Sequence, residues 1–273
     1  MNIARIGYGT DMGAAPTPET IYDRAKEEGR RRLTMPLLEQ SATGFIAGVT
    51  IVFGIIALGA TESLIAPDLG AGVATVAGAL AFGVGLVFLV VGRSELFSEN
   101  FFDPVAAAID EGGPAVWGRL LRLWATTLLL NLIGGGLLVA LLVIDGALPD
   151  GTPELLVHVA EDIAAKPWYA TFVRAVLAGA LITLLSYMLS ACDTTTARIV
   201  VAFIVGFFLA LGPFDHVVVS ALHLLFGIWE SGTIGYRALW RNLAVATLGN
   251  IAGGLFLITL THTAQIKASR SSS

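Results

Sequence analysis

Residues 122–135 read RLWATTLLLNLIGG, and residues 241–254 read RNLAVATLGNIAGG. In both segments an arginine stands nine residues before an asparagine, and two adjacent glycines follow the asparagine after two further residues. The spacing indicates an internal repeat, because several unlike residue types recur together at one set of intervals. The matching residues are Arg122 with Arg241 and Asn131 with Asn250.

Six apolar stretches follow one another along the chain, each near or above the roughly 20 residues that cross a hydrocarbon core. They cover residues 42–62, 70–92, 117–144, 170–190, 199–227 and 239–262. A mean hydropathy of +0.78 with only 14% charged residues is untypical of a soluble globular domain. Because three is odd, two copies of a three-span unit insert in opposite orientations. We therefore predict an all-α membrane protein with six transmembrane helices in two inverted three-helix repeats.

The second and fifth stretches run into residues that interrupt a helix. The second meets RSELFSEN at residues 93–100, and the fifth contains GPFDH at residues 212–216. Counting back 34 residues from each repeat asparagine reaches Phe97 and His216, one in each interruption. Irregular backbone at membrane depth is tolerated only where it is buried in protein or lines a watery cavity. The two interruptions therefore predict a single solute pathway.

His216 is the strongest candidate for chemistry, because imidazole exchanges protons near neutral pH and ionisable groups inside membranes are usually functional. Its alternative role is a structural hydrogen bond to backbone. We expect Asp215 to hold His216 or to cap the following half-helix, and Ser98 to supply a hydroxyl or a cap in the other interruption. Glu95 is expected to cap free backbone donors or to pair with an arginine at a subunit contact. His223 is interpreted as structural or interfacial.

Large apolar side chains around the two interruptions form either ordinary core or gates that exclude water from a pore. They are Phe82, Leu86, Leu96, Phe97 and Leu209. Asn131 and Asn250 stand beside glycines, which favours close backbone approach and interhelical hydrogen bonds. The single cysteine, Cys192, excludes an intrachain disulfide and a multi-cysteine metal site. The sequence has no phosphate-binding loop, paired-histidine spacing or nucleophile elbow, so we predict no cofactor, no metal and no enzymatic activity.

Residues 1–40 are polar and predict an amphipathic helix at the membrane surface, beginning at Thr17 as N-cap and running to about residue 40. We prefer this role to nucleic-acid binding. Basic residues 30–32 precede the first span and favour a cytoplasmic N-terminus. Six spans across residues 41–264 then return the tail, residues 265–273, to the cytoplasm. The lipid bilayer is therefore an expected partner.

These motifs resemble the formate/nitrite transporter family over about residues 20–265. The resemblance is carried by Phe82 and Leu86 ahead of ELFS at 95–98, by FDH at 214–216, and by NIAGG at 250–254. It implies an aquaporin-like fold in the inner membrane and a homopentamer. Each subunit would have one pore for small monovalent anions such as formate, nitrite or hydrosulfide. It also implies that Ser98 is the hydroxyl of the first interrupted loop and His216 the central histidine.

The family pattern also places an anion-attracting lysine at Lys166 and constriction residues at Phe82, Leu86, Leu96 and Phe97. The chain departs from the pattern where the family usually has threonine, glutamate and two asparagines. Those positions are Ser98, Asp215, Ser220 and Thr183. The departures predict an outlying branch whose solute is not assigned.

The residues taken alone leave several functions open. The favoured hypothesis is that His216 shares a proton with a weak acid, which then crosses the apolar gates as a neutral molecule. A channel for water or another neutral small solute is the alternative of the same class. A non-conducting scaffold or sensor, and a membrane-embedded enzyme that uses His216 with Asp215, are the alternatives of other classes.

Overall fold

A computed structural model describes residues 15–271, and within them every regular element is helical. A 3₁₀ turn, Phe97–Phe101, separates α3 from α4, and a π-helical segment, Gly253–Thr259, joins α10 to α11. The α-helices are α1 (Pro18–Thr34), α2 (Leu37–Leu69), α3 (Ala71–Val91), α4 (Asp103–Glu111), α5 (Pro114–Leu142), α6 (Thr152–Ala165), α7 (Trp168–Ser190), α8 (Thr195–Leu211), α9 (Val217–Ser231), α10 (Tyr236–Ala252) and α11 (Leu260–Ser271).

Five of the described helices are long and apolar enough to cross a membrane. They are α2, α3, α5, α7 and the continuous helix Tyr236–Ser271, which includes α10 and α11. The predicted fifth stretch, residues 199–227, corresponds to two shorter apolar helices, α8 and α9, separated by residues 212–216. Many large apolar side chains on the long helices are exposed, such as Phe53, Leu129 and Phe256, as expected for surfaces that face lipid.

The first helix begins where the sequence predicts and ends earlier. The Thr17 hydroxyl accepts a hydrogen bond from the backbone N–H of Thr20 at 3.3 Å, so Thr17 is the N-cap. The predicted continuation to residue 40 is wrong, since α1 ends at Thr34 and a new helix begins at Leu37. Pro36 explains the boundary, because proline disfavours the helical conformation of the residue before it. Residues 1–14 of the predicted N-terminal region lie outside the described residues.

The helix α1 packs against the protein body as well as facing solvent. Its buried residues Tyr22 and Ala25 contact Phe102 and Ala106 on and beside α4. The predicted position at the membrane surface therefore describes only part of the role of α1, because one face of this helix covers the segment that follows the first interruption.

Asn131 on α5 binds the backbone of the first interruption and of α2. Its Oδ1 accepts a hydrogen bond from the N–H of Phe97 at 2.9 Å. Its Nδ2 donates to the carbonyl oxygens of Gly44 at 2.8 Å and Glu95 at 3.0 Å. These bonds satisfy backbone groups that the irregular segment would otherwise leave unpaired in a buried place.

Asn250 on α10 does the same at the second interruption. Its Oδ1 accepts from the N–H of Val217 at 2.9 Å, and its Nδ2 donates to the carbonyls of Ala175 at 2.8 Å and Asp215 at 3.1 Å. The count of 34 residues therefore misses the bound residue by one here, because Val217 and not His216 donates to the asparagine. The length of a non-helical segment does not follow helical periodicity, so counting could not reveal the shift.

The two repeat arginines also make corresponding contacts. Arg122 Nη2 donates to the carbonyl of Met35 at 3.3 Å, and Arg241 Nη2 donates to the carbonyls of Lys166 at 3.2 Å and Ala164 at 2.5 Å. Met35 and Lys166 each precede a proline that comes directly before a long helix, α2 or α7. The arginines thus fix the entry points of two helices.

Glycines allow the helices to approach at the asparagines. A Cβ added to Gly48 on α2 would overlap the carbonyl oxygen of Asn131, and one added to Gly179 on α7 would overlap the carbonyl oxygen of Asn250. No residue larger than glycine fits either contact without displacing backbone. The close approach places each asparagine side chain within reach of its interruption.

Candidate permeation site

The centre of the site is a contact between His216 and Ser98, which come from the two interruptions. His216 Nε2 lies against Ser98 Oγ, and both residues are buried. His216 is also the N-cap of α9, because its Nδ1 accepts a hydrogen bond from the N–H of Val219 at 3.4 Å. Since Nδ1 accepts, Nε2 carries the hydrogen of the neutral ring and donates it to the Ser98 hydroxyl.

The large apolar side chains of the elements next to this contact pack together. Leu86 from α3, Leu209 from α8 and Phe97 from the 3₁₀ turn belong to one buried cluster, and none is more than 5% exposed. Phe82 and Leu96, the other two predicted gate residues, lie in the same cluster. Phe101 packs edge-on against Phe97 with ring centroids 5.0 Å apart. We call the five predicted gate residues the apolar ring.

One cavity lies beside each interruption. The histidine cavity, about 270 Å³, is lined by His216 and includes Phe82 and Leu209 of the apolar ring. The arginine cavity, about 470 Å³, is lined by Arg31, Arg32, Glu95 and Glu99 among others. Leu96, Phe97 and Ser98 lie between Glu95 and Glu99 in sequence and line neither cavity. The two cavities share no lining residue, and the Ser98–His216 contact joins the two interruptions beside which they lie.

Asp215 is engaged away from its neighbour His216. Its carboxylate binds Lys166 Nζ at 2.5 Å and lies 3.5 Å from Arg174 Nε. The prediction that Asp215 holds His216 or caps α9 is wrong, because His216 provides the cap. Burial lowers the pKa of the Lys166 ammonium below its usual range, although the bond to Asp215 acts in the opposite direction. Lys166 lies in the wall of the histidine cavity.

Glu95 is the corresponding buried carboxylate of the first interruption. It is 2% exposed and pairs with Arg31 Nη2 at 3.1 Å and Arg32 Nε at 3.3 Å. These arginines lie on α1 of the same chain, so the predicted arginine partner is present within the protomer. Glu28 joins the same arginines. Burial raises the pKa of Glu28, but Arg31 and Arg32 outweigh burial and lower it to about 2.

His223, which the sequence analysis interprets as structural or interfacial, belongs to the site. It lies seven residues after His216 on α9 and lines the histidine cavity. The available signal was the spacing, because residues two helical turns apart share one face.

Cys192 lines the arginine cavity, where its thiol donates to the carbonyl of Met188 at 3.3 Å. Within residues 15–271, no group of three or more His, Cys, Asp or Glu side chains is arranged to hold a metal ion.

Comparison with known proteins identifies the family. The family model described as Formate/nitrite transporter matches residues 19–264. The chain belongs to the formate/nitrite transporter family. The resemblance predicted from the sequence motifs is thereby confirmed. Inner membrane protein YfdC of Escherichia coli (strain K12) is 26% identical over 256 residues, which are 90% of this chain and 78% of that protein.

Solved structures show the fold. A structure titled FNT family ion channel superposes with a TM-score of 0.76 at 20% identity, covering 91% of this chain and 99% of that one. A pentameric formate channel with formate bound superposes with a TM-score of 0.64 at 21% identity, covering 84% and 94%. The chain therefore has the all-helical fold of these channels, and membership of a transporter family supports a non-enzymatic function.

Proposed function

We propose that the chain is a channel or transporter for small monovalent anions or their weak acids, of the formate, nitrite and hydrosulfide class. The observation that carries the proposal is the buried contact of His216 with Ser98, which joins two interruptions that each lie beside a cavity, next to a cluster of buried apolar side chains. The family assignment and the formate bound in a structural neighbour support the class of solute.

In the proposed mechanism, His216 shares a proton with the solute at the apolar ring. A bare anion loses its hydration there at a large free-energy cost, whereas the protonated acid is neutral and crosses at a much smaller cost. Lys166 attracts the anion into the histidine cavity, where the anion competes with Asp215 for the ammonium. Ser98 supplies a hydroxyl that replaces part of the hydration of the solute.

We also propose that six crossings are arranged as two inverted three-helix repeats, with interrupted second and fifth spans and an aquaporin-like course. The first repeat is α2, then α3 with the 3₁₀ turn and α4, then α5. The second is α7, then α8 with α9, then the continuous helix Tyr236–Ser271. The corresponding bonds of Asn131 and Asn250, and of Arg122 and Arg241, support this arrangement.

The proposed assembly is a homopentamer in the inner membrane, with one pore in each protomer. A pentameric structural neighbour and a relative named as an inner membrane protein support it. Residues 41–264 form the channel domain, and residues 1–40 and 265–273 lie in the cytoplasm, as the basic residues 30–32 suggest. Residues 272–273 lie outside the described residues.

A neutral solute, such as water, is the second candidate. The ionisable side chains that line the histidine cavity, apart from its two histidines, are three carboxylates and two cations. Both cations lie against Asp215, so an anion finds neither of them unpaired. The lining residues in question are Glu62, Asp162, Asp215, Lys166 and Arg174.

The two candidates are separated by flux into liposomes that contain purified protein and an internal pH-sensitive dye. Formate, nitrite and hydrosulfide are added in turn, and water permeability is measured by osmotic swelling, with protein-free liposomes as the control. The proposal expects at least one acid to change internal pH faster than in the control. Rapid water entry with no acid flux would contradict it and favour the neutral-solute channel.

A further inference from the structure

His223 lines the histidine cavity and has one ring nitrogen without a hydrogen-bond partner among the described residues. The residue is 4% exposed, and its Nδ1 lies 3.0 Å from the carbonyl oxygen of Val219. A carbonyl oxygen can only accept, so Nδ1 donates and Nε2 of the neutral ring has a free lone pair. Nε2 is buried and has no hydrogen-bond partner within residues 15–271.

His216, in the same wall, has no such free nitrogen. Its Nδ1 accepts from the N–H of Val219, and its Nε2 contacts Ser98. The two imidazoles lie seven residues apart, which corresponds to about 10 Å along α9. Of the two histidines in the cavity wall, His223 is therefore the one whose ring can receive a hydrogen bond from a solute.

The other polar groups around the cavity are committed elsewhere. Lys166 and Arg174 lie against Asp215. The Ser220 hydroxyl lies 2.9 Å from two acceptors, the carbonyl oxygen of His216 and Oδ1 of Asn242.

The remaining ionisable groups in the wall are Asp162 from α6 and Glu62 from α2, and ionised carboxylates cannot donate a hydrogen bond. An acceptor buried without a partner is unfavourable. A solute in the cavity that donates a hydrogen bond to Nε2 would remove this unfavourable free energy.

We propose that Nε2 of His223 accepts a hydrogen bond from the transported solute, and that the histidine cavity therefore binds a small undissociated acid with an O–H or S–H donor. The inference rests on the proposed function, because it names the form in which the solute occupies that pathway. An ionised carboxylate or nitrite would direct its own lone pairs at Nε2, so the anion is the poorer ligand at this position.

Two substitutions separate this role from a structural one. Asn in place of His223 sets an amide nitrogen near the position of Nδ1, so His223→Asn keeps a donor for the Val219 carbonyl and removes Nε2. Gln is one carbon longer and sets an amide oxygen near the position of Nε2, so His223→Gln keeps an acceptor there and loses the Nδ1 bond. His158→Asn is the matched control, since the side chain of His158 is 70% exposed and lines neither cavity.

Formate uptake is measured in liposomes for the full-length wild type and the three variants, each first shown to elute as the wild type does in size-exclusion chromatography. We expect His223→Asn to lower the initial rate about tenfold, the typical effect of losing one buried hydrogen bond. His223→Gln should retain more activity than His223→Asn, and His158→Asn should match the wild type.

Wild-type rates in His223→Asn, with or without loss in His223→Gln, would overturn the assignment of His223 and leave the proposed function standing. Absence of acid uptake by the wild type itself would overturn the proposed function and this inference together.

Discussion

The interruption after α3 and the interruption after α8 are held by corresponding contacts and carry different side chains. At each, an asparagine binds one N–H and two carbonyls, and a buried carboxylate, Glu95 or Asp215, pairs with two cations. The first interruption continues as a 3₁₀ turn that contains Ser98, whereas the second passes directly into α9 with His216 as its N-cap. The repeated contacts thus position the backbone, while single side chains determine the chemistry.

The two carboxylates also differ in the origin of their cations. Glu95 pairs with Arg31 and Arg32, which lie on α1, outside the long helices. Asp215 pairs with Lys166 and Arg174, which lie directly before and within α7. The first interruption therefore depends on α1, and the second depends on α7 and the residues that lead into it.

The largest expected effect comes from removing either asparagine. Asn131→Leu or Asn250→Leu deletes three hydrogen bonds between the amide and buried backbone groups, two of which lie in the interruption or directly beside it. At about 1 kcal/mol or more for each group, we expect a loss of at least about 3 kcal/mol of stability at both positions. Thermal unfolding in detergent measures it, with Asn242→Leu as the control because the buried Asn242 amide accepts a hydrogen bond from the Ser220 hydroxyl and holds no interruption. Unequal losses of stability at Asn131 and Asn250 would contradict the claim that the two interruptions are held by equivalent contacts.

A smaller and again equal effect is expected at the glycines that pack on the asparagines. Gly48→Ala and Gly179→Ala each force a Cβ into a backbone carbonyl, and overpacking of this kind costs about 1–3 kcal/mol. Gly118→Ala is the control, since a Cβ there meets nothing within 4 Å and alanine favours the helix. The same unfolding assay applies. Tolerance of alanine at one glycine only would show that the two contacts are not equivalent.

Ser98→Ala tests the division of chemistry between the two interruptions. The substitution removes a hydroxyl and no titrating group, so formate uptake should fall about fivefold while its dependence on pH keeps its shape. Liposome flux at several pH values measures both quantities. A pH profile displaced in Ser98→Ala would mean that the hydroxyl, as well as His216, determines the proton exchange.

The smallest expected effect is a loss of thermal stability at low pH, where Glu28 no longer pairs with the arginines of α1. Because the pKa of Glu28 is lowered from 4.5 to about 2, its ion pairs contribute stability above about pH 4.5 that is lost as the pH falls towards 2. The melting temperature of the wild type should therefore decrease across this range more than that of Glu28→Gln. Parallel pH dependence in the two proteins would argue against Glu28 as a stabilising partner of Arg31 and Arg32.

Much of the scaffold could be predicted from the sequence, because it depends on spacings within helices. The interval of 34 residues led from Asn131 to Phe97, whose N–H the asparagine binds. The same interval missed Val217 by one residue, since an irregular segment has no fixed number of residues per turn. Pro36 is itself a sequence signal for the end of α1, because proline disfavours the helical conformation of the residue before it.

The pairings within the site could be predicted less well, because they join residues distant in sequence. Ser98 and His216 were candidates, but their contact spans 118 residues. The pairing of Asp215 with Lys166 and of Glu95 with α1 follows from how helices pack, which periodicity does not specify. The seven-residue spacing of His223 from His216 is the one sequence signal for its place in the cavity wall, because it sets both residues on one face of α9.

The central claim is that His216 shares a proton with the solute, and His216→Asn tests it most directly. Asparagine keeps an acceptor for the N–H of Val219 and is a favourable N-cap, so the variant should fold and assemble, but it cannot titrate. Initial rates of weak-acid uptake are measured in liposomes between about pH 5 and pH 8, where imidazole changes charge. Weak-acid uptake by His216→Asn is expected to be abolished or to be independent of pH. An unchanged pH profile for every acid tested would contradict it.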